Sequence, residues 1–250
     1  MFTPDERNRL RDGLVAAAEA DPRVVAAALV GSAAAGREDR WSDIDLAMAV
    51  EADVDQVVRD WTARLYRDGD AVHHFDVRHG GTLFRVFLLA NTLQVDVSFW
   101  TPDEFGATGP AFRLLFGTAV EPRPVRSPEP EHLVGMGWLY ALHARSSIAR
   151  GRVWQAEHMV SGLREQVLAL ACLRHGVPAV QGRGLDDLPA AVTAPMAATL
   201  VRAPHTTELR RAFAAATEAL LAEVGHVDTG LAARIADTVR EMAGFAGTPL

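Results

Sequence analysis

The chain has 250 residues, 49% hydrophobic and 23% charged, the composition of a soluble globular protein of one to two domains at about 150 residues per domain. Its 25 basic side chains are all arginine and stand against 32 carboxylates, a formal charge of -7. Without lysine there can be no lysine Schiff base, no P-loop ending in Gly-Lys and no lysyl-adenylate, and the acidic balance argues against a nucleic-acid backbone and for a neutral or cationic small partner.

Thr3-Pro4-Asp5-Glu6 combines an N-cap hydroxyl, a proline in the first helical turn and a carboxylate three residues after the cap, so a helix should run from there to Ala20, where Asp21-Pro22 ends it. This acidic start is unlike a secretory leader. The uncharged apolar stretch Val24 to Gly36 holds 13 residues, short of the roughly 18 that a membrane span needs, so the expected location is cytoplasmic with no membrane partner. Val24 to Val30 reads as a short buried strand, Asp43 to Met48 as an alternating strand, and Val54 to Arg67 as a helix with Val54, Val57, Val58, Trp61 and Leu65 at helical spacing. Three strand-like runs follow, Ala71 to Arg78, Leu83 to Ala90 and Leu93 to Phe99, the last two joined tightly enough for a hairpin.

Between Glu121 and Pro130 four of ten residues are proline, which marks a stiff connection. The expected organisation is therefore α+β: residues 1–122 as a catalytic domain built on a small mixed sheet with flanking helices, 123–130 as a linker, and 131–250 as a helical bundle. In the latter, helical spacing dominates over 131–150, 152–175, 190–201, 206–224 and 228–243. Cys172 sits in an apolar run and reads as a small buried hydrophobe, and with no second cysteine it can form no internal disulfide. Trp138, Tyr140 and Trp154 follow helical spacing and are expected to anchor helices to one another. His73, His74 and His79 read as solvated edge residues, and Asp187 as a helix cap.

The chemistry concentrates in Val30-Gly31-Ser32, a ten-residue spacer (33 to 42), and Asp43-Ile44-Asp45-Leu46. Residues two apart on a strand share a face, so Asp43 and Asp45 project together while Ile44, Leu46 and Met48 point to the core. Two neighbouring carboxylates suit a hard divalent cation, although a solvated sheet face would also carry them. Upstream, the glycine at a strand end admits a close ligand, and Ser32 opens a short helix whose amides suit a phosphate. Asp96, in Gln94-Val95-Asp96-Val97, adds a third carboxylate on a non-core face.

Gly31-Ser32, the spacer, Ser42-Asp43-Ile44-Asp45-Leu46 and the later Asp96 together resemble the nucleotidyltransferases of the DNA polymerase beta superfamily. The layout of a minimal transferase domain followed by helices is similar to the aminoglycoside and lincosamide nucleotidyltransferases. The resemblance implies that Asp43, Asp45 and Asp96 hold two Mg²⁺ ions, that Gly31 and Ser32 cradle the β/γ-phosphates of ATP, and that AMP passes to a hydroxyl of a small molecule. Ser42 belongs to the same motif, and Arg37 and Arg40 lie in the spacer within plausible reach of the triphosphate. It also leaves two bases open: Asp96, doubling as ligand, or Glu157 from the helical domain, which shares a helix face with Ser161 and with Arg164, a residue that could approach the γ-phosphate. A protein or RNA-end acceptor, a silent nucleotide-binding or antitoxin module, and a homodimer are the other arrangements the sequence allows.

Overall fold

The computed structural model describes residues 1–51, 53–109, 111–122 and 127–244. The chain divides into two compact units, Met1–Val125 and Arg126–Leu250. Residues 123–126 of the proline-rich connection lie outside the described residues.

In the first unit, helix α1 (Pro4–Ala20) begins with the capping box read from the sequence: the Glu6 amide donates to Thr3 Oγ1, and the Thr3 amide donates to Glu6 Oε2 at 2.7 Å. Strand β1 (Val24–Val30), the four-residue helix α2 (Gly31–Ala34), β2 (Ile44–Val50) and helix α3 (Val54–Asp68) follow. Then come β3 (Ala71–His79), β4 (Thr82–Leu89), β5 (Gln94–Trp100) and β6 (Phe112–Phe116). They form one six-stranded sheet in the order β3-β4-β5-β2-β1-β6. Only β2 and β5 run parallel, with α3 and the β3–β4 hairpin between them in sequence; the other pairs are antiparallel. Strand β6 escapes a reading by alternation because it is five residues long and lies on the sheet edge, where it extends β1 by register Val30↔Phe112. Its exit needs Gly117, at φ +77, because a Cβ there would meet the backbone of Val25 and Ala26.

The two faces of this sheet differ. Leu29, Ile44, Leu46, Met48, Val97 and Phe99 form a core with Leu14 and Ala18 of α1 and Val57, Trp61 and Leu65 of α3. Each such leucine or phenylalanine contributes about 1.5–3 kcal/mol of burial. The opposite face is paved with Ala26, Ala28, Ala47 and Ala49 under Phe105. Small side chains keep that face low, and the acidic residues stand at its end.

The second unit contains α4 (Pro130–Ala149), α5 (Val153–His175), α6 (Ala190–Met196), α7 (Thr206–Val227) and α8 (Thr229–Gly244). Leu133, Val160, Leu163, Leu209, Phe213 and Leu220 share its core, and Arg174 of α5 is paired bidentately with Glu223 of α7 at 2.7 and 3.0 Å. Cys172 is buried, as its run implies.

Four expectations need correction. The helix expected over 190–201 stops at Met196 and continues as a 3₁₀ turn, Ala197–Thr199, with Pro195 in its last α-helical turn removing a backbone donor. Asp187 caps no α-helix: it closes a 3₁₀ turn, Leu185–Asp187, and Pro189 occupies the N-cap of α6. Trp154 is 75% exposed and Trp138 41%, so neither is a core anchor; α4 and α5 bury small residues instead, among them Gly137, Ala141, Ala144 and Ala156. Helical spacing marked a shared face without telling which face is buried. Finally, His74 is not simply solvated: its Nδ1 is 2.9 Å from the Tyr66 hydroxyl and its ring lies against Phe87, whereas His73 and His79 are exposed.

Candidate active site

The site forms where β1, β2 and β5 present their ends. Ile44 begins β2, so Asp43 stands one residue before the strand and Asp45 within it. Parallel pairing puts Asp45 in register with Asp96 of β5. Core residues Ile44, Leu46, Val95 and Val97 fix this arrangement, because a one-residue slip would turn them out and the aspartates in. Carboxylate oxygens of Asp43, Asp45 and Asp96 come within 4.8 Å of one another, and all three residues are half-buried.

Holding three carboxylates this close is unfavourable without a counter-charge. Desolvation, and then the Asp43 charge, push the Asp96 carboxyl up to about 6, against the opposing hydrogen bond from Gln94. Gln94 Nε2 donates to Asp96 Oδ1 at 3.1 Å and lies 3.4 Å from Asp43 Oδ2, so one amide bridges two of the three acids. Its place two residues before Asp96 was the sequence signal for this contact.

Gly31 follows β1 directly at φ +61, a left-handed conformation, and a Cβ at this position would overlap Asp45 Oδ2 and lie 3.2 Å from its Cγ. Next to it, the Ser32 hydroxyl is buried and has no hydrogen-bond partner among the described residues. A buried orphan donor beside a glycine that clears the way to a carboxylate fits a ligand oxygen, and three clustered carboxylate oxygens fit a hard divalent cation.

The loop into Asp43 is held by a residue that the sequence did not flag. Arg7 of α1 is 3% exposed, donates through one Nη to the carbonyls of Asp39 and, at 3.4 Å, Ser42, and has its Nε 3.4 Å from Glu38 Oε1. Arg11, one turn on, grips both oxygens of Glu38 at 2.7 and 2.8 Å. On a sequence, both arginines look like a solvated helix surface.

The remaining candidates fall in several places. Ser42 Oγ donates to Asp39 Oδ1 at 3.1 Å and accepts from the Asp39 amide at 2.9 Å, closing the turn before Asp43. Arg37 and Arg40 are exposed; Arg40 lies 4.8 Å over the Trp41 ring and 3.2 Å from Met1 Sδ. In the second unit, Ser161 Oγ donates to Glu157 Oε1 at 2.6 Å, while Arg164 donates to Ser161 Oγ at 3.0 Å and to the Thr199 carbonyl at 3.2 Å. Arg164 and Ser161 also line a cavity of about 370 Å³ with Tyr140, His158 and Gln181.

Residues 11–118 match the family model described as nucleotidyltransferase domain. This stretch spans Gly31, Ser32 and all three clustered aspartates. The first unit is a nucleotidyltransferase domain. Nucleotidyl transfer is accordingly the chemistry of this unit, on a mixed sheet followed by helices. Among solved structures, the crystal structure of an aminoglycoside 6-adenyltransferase from Bacillus subtilis is similar at 12% identity and a TM-score of 0.42, over 96% of this chain and 99% of that one. No curated protein matches the sequence. No helix among the described residues is long and apolar enough to cross a membrane.

Proposed function

We propose that the protein transfers AMP from ATP to a hydroxyl of a small molecule in a Mg²⁺-dependent reaction. The observation that carries this reading is the cluster of Asp43, Asp45 and Asp96 within 4.8 Å, with Gly31 lying under Asp45. Bound divalent metal supplies charge neutralisation and a more acidic hydroxyl. The three aspartates would hold it. Gly31 leaves room for the triphosphate, and the Ser32 hydroxyl, buried without a partner, donates to a phosphate oxygen. Arg37 and Arg40 add positive charge along the loop into Asp43, a role that lysine cannot fill in this chain.

In the transfer, the acceptor oxygen forms a bond to the α-phosphorus while the bond to the bridging oxygen breaks and pyrophosphate departs. The hydroxyl proton goes to Asp96, the carboxylate in register with Asp45; Glu157, in the helical unit, is the alternative base. The acidic composition disfavours a nucleic-acid acceptor, and the resemblance of the motif and layout directs the search to antibiotic-like hydroxyl compounds of the aminoglycoside or lincosamide kind.

The test is to incubate the full chain with labelled ATP, MgCl₂ and a panel of such hydroxyl compounds, following pyrophosphate release and product mass. The expected result is Mg²⁺-dependent release with a product heavier by one AMP. Release that is indifferent to Mg²⁺, or intact in Asp45→Asn, would overturn the reading.

A further inference from the structure

In-line displacement sets the attacking and leaving oxygens on opposite sides of the phosphorus. Gly31, which admits the triphosphate in the reading above, approaches Asp45 from the β1 side. The attacking hydroxyl then arrives on the far side, over Asp96 of β5, and the sheet surface next to it on that side belongs to β4 and β3.

The sheet register states what it would meet there. Opposite residues in antiparallel strands share a face, so Asp96 is followed across the sheet by Val86 of β4 and Phe75 of β3. Val77 and Phe84 form the neighbouring row beside Ser98, and Leu88 stands beside Gln94. Phe75 is 55% exposed, Leu88 50% and Val77 46%, an apolar surface that starts one strand from Asp96 and ends about 10 Å away at two strand spacings. The charged pair of these strands points the other way: Arg85 binds both oxygens of Asp76 at 2.6 and 2.7 Å and the Thr62 hydroxyl of α3 at 2.6 Å. The side chains that β3 and β4 themselves place on this face include no carboxylate; the acids near it are Asp96 on β5 and Glu104 beside the β3–β4 turn.

We propose that the face formed by Phe75, Val77, Val86 and Leu88 seats an apolar ring of the acceptor, next to the hydroxyl that receives the nucleotide. The inference rests on the nucleotidyl-transfer reading and narrows its acceptor: an alcohol with an adjoining apolar ring, in preference to a polycationic aminocyclitol. Phe75 and Val77 are specificity residues here, and burying such a ring rewards binding without touching the phosphates.

The experiment uses the full chain with MgCl₂ and α,β-methylene-ATP, and follows the ¹³C-methyl signals of Val77, Val86 and Leu88 by NMR. Two probes are titrated separately, 2-phenylethanol and 2-deoxystreptamine. The expected result is that 2-phenylethanol shifts these methyls, that its affinity falls roughly tenfold in Phe75→Ser and is kept in Phe75→Leu, and that 2-deoxystreptamine leaves them in place. No shift with 2-phenylethanol, or the same methyls moving with 2-deoxystreptamine, would overturn the proposal. So would a parent dimer that becomes monomeric in Phe75→Ser by analytical ultracentrifugation, since the face would then belong to a second copy. Calorimetric binding of the ATP analogue separates the two levels: it stays unchanged in Phe75→Ser whatever the probes do, and its loss of Mg²⁺ dependence in the parent would instead sink the transfer reading.

Discussion

Asp45 lies against Gly31 so closely that no side chain can stand between them: a Cβ on Gly31 would overlap Oδ2 and sit 3.2 Å from Cγ. The glycine therefore has two jobs, a left-handed turn at φ +61 and clearance for the Asp45 carboxylate. Gly31→Ala is expected to cost about 1–2 kcal/mol of stability from the backbone and to displace Asp45, with a larger loss of Mg²⁺-dependent turnover. The clash part of this cost should shrink in an Asp45→Ala background. Thermal melts of the four proteins in that double-mutant cycle check it; strictly additive costs would contradict the contact.

Asp45→Asn tests the cluster from the other side. Removing one of three carboxylates within 4.8 Å relieves repulsion, so the melting temperature of the metal-free protein should hold or rise. Turnover should fall on the order of 10²-fold or more, because charge stabilisation in the transition state is lost. Steady-state kinetics and calorimetry on the same preparation separate these effects.

Asp96 gives a pH signature. Its native carboxyl is raised to about 6 by burial and by Asp43, above the unfolded value, so the folded state binds this proton more tightly than the unfolded one. The ionised group is thus a liability fully present above about pH 6 and absent below about pH 4. In metal-free protein, Asp96→Asn should raise the melting temperature near neutral pH, and the gain should fade as pH drops through that window. A gain that grew on acidification would show the sign to be wrong.

How far the site could be read from the sequence depended on the range of the interactions. The period-2 alternation of Asp43-Ile44-Asp45-Leu46 and Val95-Asp96-Val97 is local and by itself sets the carboxylates apart from the core residues, although Asp43 stands just before β2. The parallel pairing that sets Asp45 beside Asp96 is a long-range register that alternation allows without specifying. Arg7 was illegible for the same reason: its partners, the carbonyls of Asp39 and Ser42, are more than thirty residues away. In the helical unit, periodicity placed Trp138 and Trp154 on helices but not on a buried face; the buried faces of α4 and α5 mix aliphatic residues such as Leu133 and Leu163 with alanine and glycine.

Arg7 itself is testable as a positioning residue. Arg7→Met keeps the apolar stem and removes the guanidinium bonds to the part-buried loop carbonyls and to Glu38, which keeps Arg11, at an expected cost of about 1 kcal/mol. Amide exchange at Ser42 and Asp43 should quicken, and turnover should fall while ATP remains bound at saturating concentration. Unchanged exchange at those amides would show that the loop holds without it.

The identity of the base separates Asp96 from Glu157. Glu157 already accepts a hydrogen bond from Ser161 at 2.6 Å, and Ser161 accepts one from Arg164, so its charge is engaged along its own helix. Asp96 stands in the carboxylate cluster, in register with Asp45. With Asp96 as the base, Asp96→Asn loses metal affinity and rate together, whereas Glu157→Gln retains kcat and both KM values within about 2-fold and changes chiefly the stability of α5. A base reaching in from Glu157 would give the opposite pattern, a roughly 10²–10⁴-fold drop in kcat for Glu157→Gln at unchanged Mg²⁺ affinity. Metal titration by calorimetry alongside kcat for the two variants decides between them, and the position of Asp96 in the cluster favours the first outcome.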